Sequence, residues 1–370
     1  MNSDSSIGLA VIGRFRLAEH LFVLKGLKDV QLVGISQEET DLQQPISEAL
    51  SFAHRDELLN HPDVLGVVVC VPPDEREHWI QQVVLAGKHV FCQKPLTLTL
   101  EENQLIRNAC NKYNKQVFLV GTQQRSSRDK FLRAINMVQK GLLGDIQKIT
   151  VGIGGGPKGG PFSASTPPKE LNWDYWLGQA PKVDYIDKRC HYQFRWWYEY
   201  SGGKFTDWGA HHVDIATWAI GEDKEGMGPV EIDGSDAKHP VPYKDGYTTV
   251  TDSYNTSNDY AVNCKFASGV QMIVTSRGRN GILFEGSKGR IFVSRGEITG
   301  TPVEHIVEGV LGRLHQHLAH FAVDLQVRQG DGLGGGEIPL VAGGGLVVPD
   351  VFAGVRIQCH DGRHVKVVAA

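Results

Sequence analysis

Three side chains in this chain have the type and placement to move a proton. Lys94 stands in Cys92-Gln93-Lys94-Pro95, directly after an apolar stretch and directly before a proline. A residue that precedes proline is held in an extended backbone, so this lysine is fixed more firmly than a solvated surface lysine. An ammonium so held can donate to a hydroxyl or carbonyl oxygen. Asp207 and His211 are four apart in "SGGKFTDWGAHHVDIATWAIG". On a helix that spacing puts both on one face, one turn apart. A carboxylate beside an imidazole fixes its tautomer and raises its basicity, which is what a general base needs. Ordinary readings stand beside these. An Asp near a helix start is often a cap or a dipole partner, and most lysines are solvated. His211, His212 and Asp214 also suggest metal ligation, but adjacent histidines diverge on a helix and no further ligand cluster accompanies them. No metal is expected.

The elements that must position these groups follow from periodicity. Residues 9–13, 30–36, 65–71, 89–92 and 117–121 are short, continuous runs rich in Val, Ile and Leu, as strands buried on both faces are. Helical patterns lie between them at 18–27, 47–59, 76–86 and 100–113. Repeated strand-helix-strand units predict a doubly wound parallel sheet, which binds ligands at the carboxyl ends of its strands. Lys94 falls on that rim. After residue 121 the pattern changes. A helix is expected over 128–140, a strand over 146–153 and a helix over 206–220, with an aromatic-rich run between the last two. Residues 254–293 read as antiparallel strands, with hairpin signals in "ASGVQ" and "GSKGR". The expected fold class is therefore α/β: a parallel N-terminal sheet over 1–121 and an α+β domain over 122–320 with a largely antiparallel sheet. An atypical Gly-rich tail follows over 321–370, with no helical period.

Composition narrows the function classes. The 370 residues are 41% hydrophobic and 22% charged, with a formal net charge of −4. There is no basic-aromatic run, so no nucleic-acid partner is expected. Six scattered cysteines form no CxxC pair, which fits reduced thiols in a cytoplasm. No charged start leads into an apolar stretch, and no apolar run approaches the roughly 20 residues that span a bilayer. A soluble cytoplasmic protein without membrane partners is the expectation.

Five stretches, "AGKHVFCQKPLTLTLEE", "VGTQQRSS", "NWDYWLGQAP", "FRWWYEYSGGKFTDWGAHHVDIATW" and "ILFEGSKGRIFVSRG", occur in an order that resembles the Gfo/Idh/MocA family of sugar and polyol oxidoreductases. The resemblance covers roughly residues 7 to 320. It implies a dinucleotide-binding domain, then an α/β domain whose open sheet often forms oligomer contacts, so a homo-oligomer (dimer or tetramer) is implied. It implies NAD or NADP as cofactor and a small sugar or polyol as substrate. Lys94 matches the lysine of the family's Glu-Lys-Pro motif, beside nicotinamide and substrate. Asp207 and His211 match its Asp-x-x-x-His. By resemblance His211 takes the hydroxyl proton, Lys94 bonds the reacting oxygen and Asp207 orients the imidazole. Trp173, Tyr185 and Arg195 would help shape the sugar pocket, with ordinary core packing the alternative for the aromatics. Gly13, Arg14, Phe15, Ser36, Val71, Pro72, Gln93, Lys94 and Gln123 are the expected cofactor contacts.

The departures matter as much. Gln93 replaces the motif's glutamate, which removes a charge that would hold Lys94 protonated. In the phosphate loop "VIGRFRLAEHLF" the first and third places are Gly13 and Ala18, but the second is Phe15, where a benzyl group obstructs approach of the pyrophosphate. Arg14 and Arg16 could compensate by pairing with phosphate. Ser36 stands where an acid would bind a ribose 2′-hydroxyl; with Glu38 and Glu39 nearby, the balance leans only slightly to NADP. Family members usually finish with helices, so the Gly-rich end reads as a frame change or an unusual replacement. Two further readings stay open: a non-catalytic dinucleotide or sugar sensor, and an NAD-using glycosidase with no net redox change.

Overall fold

The computed structural model describes residues 6–13, 17–27, 29–36, 50–71, 73–97, 99–178, 180–224 and 226–302. It also describes the backbone of 355–356, 359–360 and 364–369. The chain divides into two compact units, with the boundary between Ser127 and Arg128. Arg14, Phe15, Arg16, Glu38, Glu39, Pro72 and most of the Gly-rich tail lie outside the described residues.

In the first unit the strands are β1 (Ile7–Ile12), β2 (Val30–Ser36), β3 (Leu50–Phe52), β4 (Gly66–Val69), β5 (His89–Gln93) and β6 (Phe118–Gly121). The helices are α1 (Leu17–Lys25), α2 (Arg55–Asn60), α3 (Pro73–Leu85) and α4 (Leu100–Lys112). Every described pair is parallel, and the order is β3-β2-β1-β4-β5-β6. Side chains alternate across a strand, and here both faces are apolar. Leu9, Val11, Val68, Cys70, Phe91 and Leu119 join Leu17, Leu21 and Leu24 of α1 in one cluster. Ala10, Ile12, Val67, Val69, Val90 and Cys92 join Ile80, Val83 and Val84 of α3 and Ile106 of α4 in another. That two-sided burial is why the strands read as unbroken hydrophobic runs. The expected helix over 47–59 is corrected. Leu50–Phe52 pairs parallel to β2 as an edge strand, and the helix starts only at Arg55. Alternating Leu50, Ser51 and Phe52 satisfied a strand's period as well as a helix's.

The second unit has α5 (Arg133–Gln139), preceded by a π turn over Arg128–Leu132, then β7 (Ile146–Gly152), α6 (Trp173–Leu177) and α7 (Gly203–Ala219). Next come β8 (Pro229–Asp233), β9 (Tyr243–Lys244), β10 (Tyr247–Thr248), β11 (Ala261–Phe266) and β12 (Gln271–Thr275). The last elements are β13 (Gly281–Gly286), β14 (Arg290–Val293), β15 (Ile298–Thr301), β16 (Val355–Arg356), β17 (Cys359–His360) and β18 (His364–Ala369). Among the described residues ten strands form one sheet, β15-β14-β13-β7-β12-β11-β8-β18-β16, with β17 paired to β18. Neighbours are antiparallel except β7 and β12. The two hairpin signals form β11–β12 and β13–β14 as expected. From the far end of the chain, the backbone of β18 pairs with β8, Val367 opposite Ile232. One sheet face packs Ile149, Val151, Met272, Val274, Ile282, Phe284, Ile291 and Val293 against Ile135 and Val138 of α5 and Val213 and Ala216 of α7. This core is what holds α7, and with it Asp207 and His211, in place.

Order 3-2-1-4-5-6 reverses direction between β1 and β4, and at that point the two strand ends come very close. Gly13 has φ +95, and a Cβ there would lie 2.4 Å from the carbonyl carbon and oxygen of Cys70 and 2.6 Å from the Val71 nitrogen. Both the backbone angle and the space demand glycine. We expect Gly13→Ala to destabilise the protein by about 2 kcal/mol or more, read as a lowered thermal midpoint.

Candidate active site

In the first unit, β5 delivers Lys94 to the carboxyl edge of the sheet. Its last ladder pair sets Gln93 opposite Gly121. A Cβ on Gly121 would stand 2.6 Å from the Gln93 Oε1, so the amide lies flat over a glycine. The Lys94–Pro95 peptide is cis, and Lys94 is half-buried. The loop closes into α4 through a reciprocal cap: the Glu102 N–H donates to Thr99 Oγ1 at 3.1 Å, and the Thr99 N–H to Glu102 Oε2 at 3.1 Å. Behind this loop lies a residue that sequence reading missed. Arg76, in the first turns of α3, is fully buried. Its Nε donates to the Val71 carbonyl at 3.1 Å and its Nη1 to the Gln93 carbonyl at 3.0 Å and to that of Pro95. A charged residue three places past the Pro72-Pro73 pair reads as surface helix; no periodicity signal marks it as internal.

The other expected cofactor positions are distributed as follows. Gly13 and Val71 meet at the switch point, and Val71 is buried. Ser36 ends β2 fully buried, and its hydroxyl has no hydrogen-bond partner among the described residues. Gln123 is exposed after β6, while the neighbouring Gln124 and Arg125 are buried. Cys70 and Cys92 line the same strand ends. Burial pushes both thiols up, Cys92 to about 11, against an opposing pull from the Arg76 charge, so neither is a reactive thiolate.

In the second unit, Gly202 and Gly203 lead into α7, which carries Asp207 and His211 on successive turns. A Cβ on Gly203, at φ +65, would stand 2.8 Å from Thr256 Oγ1, so this entry is also steric. His211 is buried and Asp207 is 19% exposed at its side chain. Asp207 pairs with Arg195, Oδ2 to Nε 3.4 Å, and also feels the charge of Arg295. Arg295 lies over the Trp208 ring at 4.3 Å. Arg195 in turn lies 4.3 Å over the Tyr192 ring and donates to the Tyr192 carbonyl. The structure thus gives Arg195, expected to help shape the sugar pocket, a carboxylate partner in Asp207. Trp173 and Tyr185 are brought together edge to face at 5.2 Å. The Trp173 N–H donates to the Val183 carbonyl at 2.8 Å, and Tyr185 is 6% exposed. Both are thus packed into the loop's own aromatic cluster, with Trp176 stacked on Trp173. Sequence reading also missed the polar knot beside this cluster. Buried Arg189 lies over Trp197 at 4.0 Å and donates to the Tyr200 hydroxyl at 2.9 Å, while the amide of fully buried Asn255 donates to Glu199 at 2.8 Å.

His212 has a different fate from His211. It is fully buried between Phe131 and Trp208, and its Nε2 donates to Asn280 Oδ1 at 2.9 Å. Burial drives its pKa down to about 4 from 6.5, the Asn280 bond opposes this, and the Arg295 charge adds to it. Among the described residues no group of three or more His, Cys, Asp or Glu could hold a metal ion. Among them also, no helix is long and apolar enough to cross a membrane.

A parallel sheet of this order, with glycine at the reversal, is the dinucleotide-binding type of doubly wound domain. Comparison with known proteins agrees. Residues 7–121 match the oxidoreductase family, NAD-binding Rossmann fold, and residues 134–299 match the oxidoreductase family, C-terminal alpha/beta domain. The chain belongs to the Gfo/Idh/MocA oxidoreductase family. It is 24% identical over 301 residues to inositol 2-dehydrogenase of Rhizobium meliloti, covering 77% of this chain and 75% of that one. To myo-inositol 2-dehydrogenase of Thermotoga maritima it is 26% identical over 299 residues, covering 77% and 73%. Its fold is similar to that of the WlbA dehydrogenase from Chromobacterium violaceum, solved with NADH and UDP-GlcNAcA. The TM-score is 0.59 at 17% identity, covering 89% of this chain and 88% of that chain.

The shifted His212 sets a pH dependence of stability. Between about 4 and 6.5 the unfolded chain carries a proton on this ring that the folded chain excludes, so stability rises with pH through that window and is complete above it. We expect wild type to lose about 1–3 kcal/mol more than His212→Gln on going from pH 7 to pH 4, measured by denaturant unfolding at each pH.

Proposed function

We propose that this protein oxidises a hydroxyl-bearing carbon of a sugar or polyol, or reduces the corresponding carbonyl, with a nicotinamide dinucleotide. The observation that carries the reading is Lys94, kept at the carboxyl end of β5 in a sheet of order 3-2-1-4-5-6. The residues present suit the dinucleotide: Gly13 sits against the Cys70–Val71 backbone where the strand order reverses, the place at which a doubly wound sheet binds its ligand. Gly13, Val71, Gln93, Lys94 and Gln123 would hold it, together with Arg14, Phe15 and Pro72. When bound, the cofactor supplies hydride acceptance. The protein's own part is binding, orientation and proton transfer. His211 takes the hydroxyl proton at an imidazole nitrogen. Lys94 donates to the reacting oxygen. Asp207 orients the imidazole, and its pairing with Arg195 holds the carboxylate in position. Names of the inositol dehydrogenases it resembles support a polyol substrate. Absence of an acid at Ser36 supports NADP over NAD.

The open sheet face supports a homo-oligomer. Thr150, Ile273, Leu283 and Phe292 are cross-strand neighbours in one row and stay half-exposed. Gln93 and Phe15 favour a second reading, a sensor that binds the dinucleotide without turnover.

Titration of the purified protein with NADH and with NADPH is expected to show binding, tighter for NADPH; no binding of either at millimolar concentration defeats the cofactor assignment. With NAD(P)⁺ and a panel of polyols led by myo-inositol, absorbance of the reduced nicotinamide is the assay. Lys94→Met and His211→Ala are each expected to lose about a hundredfold in kcat. Near-wild-type rates in either variant remove that residue from the site, and binding without any turnover selects the sensor.

A further inference from the structure

We infer that Arg76 is a positioning residue, which sets Lys94 against the dinucleotide cradle. The inference rests on the reading of Lys94 given above. A guanidinium is always charged and presents its donors in a rigid fork. Burying one is costly unless its N–H groups find acceptors. Arg76 is fully buried, and the named acceptors are three main-chain carbonyls: Val71, Gln93 and Pro95. They are not scattered. Gln93 and Pro95 are the residues on either side of Lys94, so a single nitrogen, Nη1, brackets the lysine's own backbone. Nε holds Val71, whose nitrogen is one of the atoms pressed against Gly13. One side chain therefore ties the Lys94 turn to the strand ends where the sheet reverses.

The local sequence makes such a tie necessary. The residue before Lys94 is an amide, Gln93, and not a carboxylate. Pro95 has no N–H to donate to the sheet, and Leu96 and Thr97 lie outside any strand or helix. Between Gln93, the last residue of β5, and Thr99, the cap of α4, the Arg76 bonds hold the Gln93 and Pro95 carbonyls, and the Thr97 hydroxyl donates to the Thr99 carbonyl at 3.0 Å. From this position the Arg76 charge also bears on the thiols of Cys70 and Cys92 at the ends of β4 and β5. Misplacement of a reacting group by about 1 Å can cost about a hundredfold in rate, so a bracket at the carbonyls on either side of the lysine has leverage over turnover without touching substrate.

The test uses the full chain as wild type, Arg76→Lys, Arg76→Met and Lys94→Met. Lysines are reductively methylated with ¹³C and observed by NMR, the Lys94 signal being the one lost in Lys94→Met. Dinucleotide binding to each protein, titrated with NADH and NADPH, counts the folded sites. Expected is a Lys94 signal that shifts or broadens in Arg76→Met and less so in Arg76→Lys, with signals from the second unit's lysines unchanged. Dinucleotide Kd is expected to stay within about threefold of wild type, and kcat for myo-inositol oxidation per binding site to fall about tenfold to a hundredfold in Arg76→Met, with partial recovery in Arg76→Lys. An unperturbed Lys94 signal in a folded Arg76 variant overturns the inference. Should Arg76→Met fail to fold, Arg76→Lys decides by the same signal. Wild-type turnover in Lys94→Met would instead remove the catalytic reading of Lys94; the Lys94 signal in the Arg76 variants would still report whether the bracket exists.

Discussion

A parallel sheet cannot be closed by hairpins, and its strands must be covered on both faces. From that constraint the rest of the first unit follows. Each crossover returns over one face or the other, so the two apolar clusters on either side of β1, β4 and β5 each need their own helices. Every strand then ends at the same edge. The residues that serve ligand and chemistry gather there: Gly13 after β1, Val71 and Arg76 after β4, and Gln93 and Lys94 at the end of β5. The chemistry is placed by the packing requirement of a sheet whose interior contains none of it.

The second unit solves a different problem. Its sheet is covered on one face by α5 and α7, and α7 is long enough to bury His212 while carrying Asp207 at its more open first turns. Two adjacent histidines consequently live in different physical worlds. His212 is sealed among aromatic rings, hydrogen-bonded to Asn280 and held neutral. Asp207, one turn back from His211, pairs with Arg195 and lies within reach of the Arg295 charge.

Much of this was legible in the sequence because burial on both faces leaves a strong mark. The strand at Val30–Ser36 is read at its exact bounds, and both predicted hairpins form. What escaped was where two periods coincide or where a residue's type contradicts its environment. Leu50, Ser51 and Phe52 fit helix and strand alike until pairing with β2 decides. Arg76 and Arg189 look like surface charge, and only the convergence of distant carbonyls and rings makes their burial favourable. Trp173 and Tyr185 were readable as either pocket or core. Their mutual packing and the Val183 bond depend on the fold of a loop that no repeat announces.

The central strand of the second sheet sets an order of events during synthesis. β7 lies between β12 and β13, and its partners Gln271–Thr275 and Gly281–Gly286 are more than a hundred residues downstream. Closing so long a loop delays the strand's pairing, since entropy must be spent before any contact rewards it. While the ribosome is still adding those residues, β7 has neither neighbour, and α7 lacks most of the surface it packs on. The first unit, whose partners are all near one another in the chain, has its sheet complete by Gly121. A nascent chain therefore has all six strands of its parallel sheet well before the histidine-bearing helix has the sheet it packs on.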